Sequence, residues 1–219
     1  MNVRKLLLCI PFLLFFCVAV ALAQEEEEKK EVFLESAEKI SYDSKNEVFT
    51  ASGNVVIIQG ENRIECQELT FDLKANRGSF RGGVRVTRGK TEIQALAMEG
   101  DFDAELYVFS GSVELRKTRE KEGETSVILW KAESLSYNGK NEEAWSEGKV
   151  EITWKEVSLR ADRAHYFPEA EERVVLEGNV VITEKEREIE VAKAVYVLDT
   201  ETLEAEGITR ARFVIKEKE

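Results

Sequence analysis

Residues Val174–Ile182 read VVLEGNVVI, and residues Phe49–Ile57 read FTASGNVVI. The two stretches are one phrase of a longer rhythm. Glycines followed two residues later by Val or Thr recur at Gly53, Gly82 and Gly111, spaced 29 apart, and then at Gly148, Gly178 and Gly207, after 37, 30 and 29 residues. A fixed period near 30 marks a chain built from one small unit used repeatedly. The single long gap holds Lys117–Thr125 (KTREKEGET), read as an extended hairpin tip.

Around each glycine the chain alternates. Two residues after it stand Val55, Val84, Val113, Val150 and Val180, and four after it Ile57, Val86, Leu115, Ile152 and Ile182. Two before it stand Ala51, Phe80, Phe109 and Leu176; four before it, Phe49 and Tyr107. Period 2 is the signature of a strand with one buried face. A second segment in each unit carries an aromatic at Tyr42, Phe71, Tyr137, Tyr166 and Tyr196, with Gly100 in the third unit, and an apolar residue two positions earlier, such as Leu69. A small residue sits five before the aromatic slot (Ala37, Cys66, Ala95, Ala132, Ala161, Val191). That odd spacing points it to the other face unless a bulge intervenes. Between the segments lie Asn-, Asp- and Gly-containing turns such as Asp43–Asn46 and Asn138–Asn141. The expectation is six hairpin-like units and about twelve antiparallel strands. A mid-strand glycine marks a bend or close approach of backbones, and six bends would fold a long sheet over on itself.

The first 23 residues are set apart by composition. Arg4 and Lys5 precede an apolar run, Leu6–Leu22, and Ala21-Leu22-Ala23 forms a small-x-small cleavage pattern before Gln24. Residues 1–23 read as a secretory signal peptide, 24–31 as a charged linker, 32–215 as one β domain and 216–219 as a charged tail. A retained membrane anchor is the alternative, because the run is at the lower edge for spanning a bilayer. The net charge of −12 becomes −14 once Arg4 and Lys5 are removed. An acidic surface argues against nucleic acid, which demands clustered cations. Cys9 and Cys17 leave with the signal, so Cys66 stands alone and no intramolecular disulfide can form. His165 is the only histidine, so neither a metal site nor a catalytic constellation is expected, and no cofactor.

The stacked hairpins offer one continuous apolar strip. It is either a filled core or a slot for acyl chains, whose shielding is worth about 25 cal/mol per Å². Its lining consists of Phe49, Ala51, Val55, Ile57, Leu69, Phe71, Phe80, Val84, Val86, Tyr107, Phe109, Val113, Leu115, Tyr137, Val150, Ile152, Tyr166, Leu176, Val180 and Ile182. Arg77, Arg81 and Arg85 share a parity on the outer face. They are candidate contacts for lipid phosphates or an acidic partner, with ordinary surface solvation as the bland reading. Open strand edges at both ends invite head-to-tail self-association.

The stretch Val32–Asp72, VFLESAEKISYDSKNEVFTASGNVVIIQGENRIECQELTFD, resembles the start of the LptA/OstA-like family of periplasmic lipopolysaccharide-transport proteins. The Gly-x-Val phrase, the Gln59-Gly60 turn and the His165-Tyr166…Val174–Asn179 stretch carry the likeness, which runs over about residues 31 to 215. The resemblance implies an all-β fold, a β-jellyroll of repeated antiparallel hairpins folded over and open at both ends. It implies shielding of lipid A acyl chains and a bridge between inner-membrane and outer-membrane transport components. The insertion at Lys117–Thr125 departs from the pattern, and an uncleaved anchor would suit the LptC-like sister component. A structural β-repeat protein with a filled core is the alternative from outside the pathway.

Overall fold

Units that each expose one apolar face must bury it against their neighbours, and short turns between sequential strands make antiparallel pairing the economical route. The computed structural model of the chain describes residues 32–121, 123–168 and 171–214; the signal, linker and tail segments read above lie outside them. Thirteen strands among these residues form one antiparallel sheet. They are β1 (Phe33–Ser36), β2 (Lys39–Asp43), β3 (Val48–Gln59), β4 (Asn62–Asp72), β5 (Arg77–Arg88), β6 (Thr91–Asp101), β7 (Leu106–Lys121), β8 (Glu124–Asn138), β9 (Ala144–Trp154), β10 (Val157–Phe167), β11 (Arg173–Glu184), β12 (Arg187–Val197) and β13 (Thr202–Arg212). From β3 onward each strand pairs with its sequence neighbours, whereas β1 and β2 both pair with β3. β1 lies along Val56–Ile58 and β2 along Val48–Ser52, so the first position is one strand broken at Ala37–Glu38. That break makes thirteen strands of the expected twelve.

The recurrent glycine opens a two-residue bulge. Gly53 and Asn54 have φ of 78° and 48°, and Gly178 and Asn179 have 77° and 47°. Pairing jumps over both, from Ser52 to Val55 and from Glu177 to Val180. A Cβ on Gly178 would lie 2.5 Å from Asp162 Oδ2 and 3.0 Å from its Cβ. Asparagine tolerates the left-handed conformation at the second position. Its amide also donates across the sheet, Asn54 Nδ2 to Glu38 at 2.9 Å and Asn179 Nδ2 to Asp162 at 2.8 Å. The repeated Gly-Asn phrase is therefore a bulge motif.

The same bulges settle the odd-spaced small residues. Register between β4 and β5 jumps from Glu65 to Glu68, which turns both Cys66 and Leu69 inward despite their spacing of three. Ala95, Ala132, Ala161 and Val191 are buried in the same way.

Each bulge also bends its strand, so the sheet folds across its middle and its two halves face each other. Turns of two residues lie along one rim (Gly60-Glu61, Gly89-Lys90, Lys155-Glu156), and longer turns along the other. On the longer-turn rim, Asp72 accepts from the backbone N–H groups of Lys74 and Ala75, and Asn138 from that of Lys140. The rims meet. The Trp154 ring, at a two-residue turn, lies 6.1 Å from that of Tyr196, which sits three strands away at the opposite rim.

Candidate functional site

The apolar strip read from the alternation is the inner face of this folded sheet. Most of the lining residues named above are buried; Phe49, Phe71, Val86, Tyr107 and Tyr137 are partly buried and pack on the core. The interior is filled by its own side chains. Trp130 and Trp154, which the alternation did not single out, supply much of the bulk. Trp130 occupies the position two before the small-residue slot, where Ile64, Ile93 and Leu159 stand in other units. Its indole N–H donates to Ser146 Oγ at 2.9 Å, which satisfies a buried hydroxyl in a largely apolar core. The aromatic that Gly100 lacks is replaced by Phe102, whose ring turns back from the β6–β7 turn to within 5.3 Å of Phe71 and 5.5 Å of Tyr107.

Two small apolar recesses interrupt the packing. One, of about 40 Å³, lies between Gln59, Arg88, Met98, Phe102, Tyr107 and Tyr137. The other, of about 20 Å³, lies beneath Lys117 among Trp130, Tyr137, Ile152 and Tyr166. A water-sized group needs about 10–15 Å³ on this measure, so neither holds more than a few such groups. Both sit under the line where the rims meet. At the two ends the inner face is uncovered: Ile40 and Tyr42 are exposed on β2, and Ile208 and Phe213 at the other end.

The seam between the rims is polar and follows a rule. The residue six after each repeat glycine faces the aromatic slot two units later. Arg88 shares the first recess with Tyr137 and donates to the Gly139 carbonyl at 3.0 Å. Lys117 Nζ donates to Tyr166 Oη at 2.8 Å and lies 3.6 Å from Glu142. Trp154 meets Tyr196, and beside it Lys155 pairs with Glu201 at 2.6 Å. Arg119 pairs with Glu172 and, at 2.8 Å, with Asp199.

The arginines Arg77, Arg81 and Arg85 do point outward. Each faces a carboxylate of β6: Asp101 at 2.9 Å, Glu99 at 3.9 Å and Glu92 at 3.7 Å. The cationic stripe is thus neutralised by the next strand, and such exposed pairs are worth about 0–1 kcal/mol. His165 lies on the outer side, its ring 3.8 Å from that of Phe167 and 6.0 Å from that of Trp145. Among the described residues no group of His, Cys, Asp and Glu is placed to hold a metal ion.

Burial pushes Tyr137 and Tyr196 up to about 12 and the Cys66 thiol up to about 11. Tyr166 is raised by burial and by its hydrogen bond to Glu172. Their unfolded values are about 10 for tyrosine and 8.5 for cysteine. Between the unfolded and folded values the unfolded chain binds fewer protons, so stability falls as pH rises. The free energy of unfolding is expected to be level from about pH 7 to 8.5 and to fall steadily above about pH 9, by up to about 1.4 kcal/mol per pH unit for each group in its window, and the melting temperature to fall with it. Calorimetry across that range checks it; a melting temperature unchanged to pH 11 would mean these side chains are not desolvated.

No curated protein matches the sequence. Among solved structures, the chain is similar to the one titled "Crystal structure of LptH, the LptA homologous periplasmic component of the conserved lipopolysaccharide transport device from Pseudomonas aeruginosa". The likeness has 13% sequence identity and a TM-score of 0.49, and covers 57% of this chain and 94% of that one. Residues 63–202, from the start of β4 to the start of β13, match the family described as "LptA/(LptD N-terminal domain) LPS transport protein". With that match spanning well over half of its length, and with an all-β sheet of repeated hairpins bent at each Gly bulge, the chain belongs to the LptA/(LptD N-terminal domain) family of LPS transport proteins.

Proposed function

We propose that the protein is a periplasmic carrier that shields the acyl chains of lipopolysaccharide on the way from inner-membrane to outer-membrane components. The family match over residues 63–202 carries this reading. The interior supports it, being largely apolar along its length among the described residues. Nothing in this role requires chemistry on the lipid; acyl chains leave water and the sugars stay outside. The residues at 1–23 fit a cleaved export signal, and protein sequencing that starts at Gln24 would separate the carrier from an anchored, LptC-like component. Arg77, Arg81 and Arg85 would take part in contacts to phosphates or a partner only by exchanging the β6 carboxylates they already face.

The two-unit offset of the seam supports head-to-tail association. Among the described residues, Tyr42 and Phe71, in the first two units, have no earlier unit to face them, and Glu184, six after Gly178, has no later one. A second copy stacked on the end would supply both, with strand addition along β2 or β13. Such a heterologous contact does not close on itself and builds an open row.

A filled interior also fits a purely structural repeat protein, and the small recesses favour that reading. Photocapture decides between them. A diazirine-bearing side chain at Phe49 or Val86, half-buried on the inner face, is expected to capture lipopolysaccharide through its acyl part. The same probe at outward Thr70 or Ser110 is not. Equal capture at all four positions, or none, would remove the carrier reading.

A further inference from the structure

The β7–β8 hairpin is longer than its fellows, with strands of 16 and 15 residues where β3–β6 and β9–β13 have 11 or 12. Part of its extra length is exposed, Glu120, Glu124, Thr125 and Val127 among it, but Arg119 and Ser126 are not spent in solvent. The hairpin carries Arg119 across the seam to Glu172 and Asp199, with the guanidinium carbon 5.5 Å from the Trp154 ring. Ser126, on the returning strand, accepts from Trp154 Nε1 at 3.1 Å. One turn inward, Lys117 bonds Tyr166 Oη, and that hydroxyl donates to Glu172. A single hydrogen-bonded chain, Lys117–Tyr166–Glu172–Arg119–Asp199, therefore spans three hairpins. Arg119 is only 11% exposed and Glu172 15%, so each is largely removed from water and must stay partnered. Directly beneath lies the recess of about 20 Å³ among Trp130, Tyr137 and Ile152.

A permanently shut core would be better sealed by apolar side chains, since replacing a buried ion pair by packed hydrocarbon is often neutral or stabilising. Ion pairs, unlike packed hydrocarbon, can exchange partners. We propose that the extended β7–β8 hairpin is a strap: Arg119 and Lys117 latch it across the seam, and its release opens the filled interior to acyl chains. In the open state the two cations lose Glu172, Asp199 and Glu142 and become available to an anionic, phosphate-bearing head group whose tails enter below. Opening and head-group binding would then be one exchange of carboxylate for phosphate. The entry of lipopolysaccharide rests on the carrier reading above; the strap itself does not.

The test uses the whole exported chain and two variants. One is Lys117→Ala with Arg119→Ala. The other replaces residues 118–127 by Asn-Gly, which joins Lys117 to its paired residue Ile128 and gives the hairpin the length of its neighbours. The readouts are uptake of an apolar fluorescent dye, hydrogen exchange in β7, β8 and the 166–172 region, and lipopolysaccharide capture from Val86. Both variants are expected to unfold cooperatively, to raise dye uptake at least about fivefold, the lower end for a coupling between sites, and to exchange faster along both rims. Unchanged dye uptake and exchange in a folded shortened variant would overturn the strap, whatever lipopolysaccharide does. Faster opening without any gain in lipopolysaccharide capture would keep the strap and count against the carrier reading alone.

Discussion

Phe109→Ala is expected to lower the free energy of unfolding by about 3–5 kcal/mol, read from urea denaturation with an unchanged m-value. Phe109 is 1% exposed, and it pairs with Met98 on β6 and Leu135 on β8, each 1% exposed as well. With all three locked in contact, the sheet cannot collapse into the space a phenyl ring leaves. The loss therefore includes a cavity cost beyond transfer of the ring to water. The size of the effect decides how the interior is to be pictured. A ring lining an open slot already faces empty space on one side, so its removal forfeits few contacts. A measured loss under about 1.5 kcal/mol would mean that the inner face stands apart at rest, and that no strap is needed to keep it closed. The full loss would mean that room for acyl chains is made only by moving the two halves of the sheet.

Much of this architecture could be read from the order of residues. The alternation at Ala51, Val55 and Ile57 fixes a face because a strand has only two, and the glycine period counts the hairpins. The bulge was legible as a question: Cys66 and Leu69 are three apart, and only a local break in the pleat lets both face inward. Three things were not legible. Whether the strip encloses space depends on summed volumes, and Trp130 and Trp154 stand in positions that other units give to Ile64 and Gln59. The outcome for the arginine stripe depends on which acids the neighbouring strand presents: β6 sets Asp101 opposite Arg77, and it sets Glu99 and Glu92 two positions along from the partners of Arg81 and Arg85. The seam pairs residues such as Lys117 and Tyr166, or Arg119 and Asp199, which lie 49 and 80 positions apart. Their meeting follows from the bend and twist of the folded sheet, which no local pattern encodes. The signal of the strap was nonetheless present as the one gap of 37 in a series of 29 and 30.

Gly82→Ala is expected to be the most damaging of the bulge substitutions, and Gly83→Ala separates its causes. Both residues have φ of +83°, where an alanine is strained by about 1–3 kcal/mol. Around Gly83 a new Cβ would meet nothing within 4 Å, so its substitution reports the backbone strain alone. At Gly82 the same Cβ would lie 2.6 Å from Gln67 Cβ, 3.1 Å from its Cγ and 3.6 Å from its Cα. A change of rotamer cannot move Cβ, so β4 and β5 would have to part at the bulge. The bulge is where the sheet folds, and parting it there loosens the contact of the two halves as well as one strand pair. Gly82→Ala should therefore cost clearly more than Gly83→Ala in the same denaturation experiment. Gln67→Gly in the Gly82→Ala background should recover the difference and leave the backbone share. Equal losses for the two single variants would mean that close approach of the strands is not what holds glycine at that position, and that the fold-over depends on φ alone.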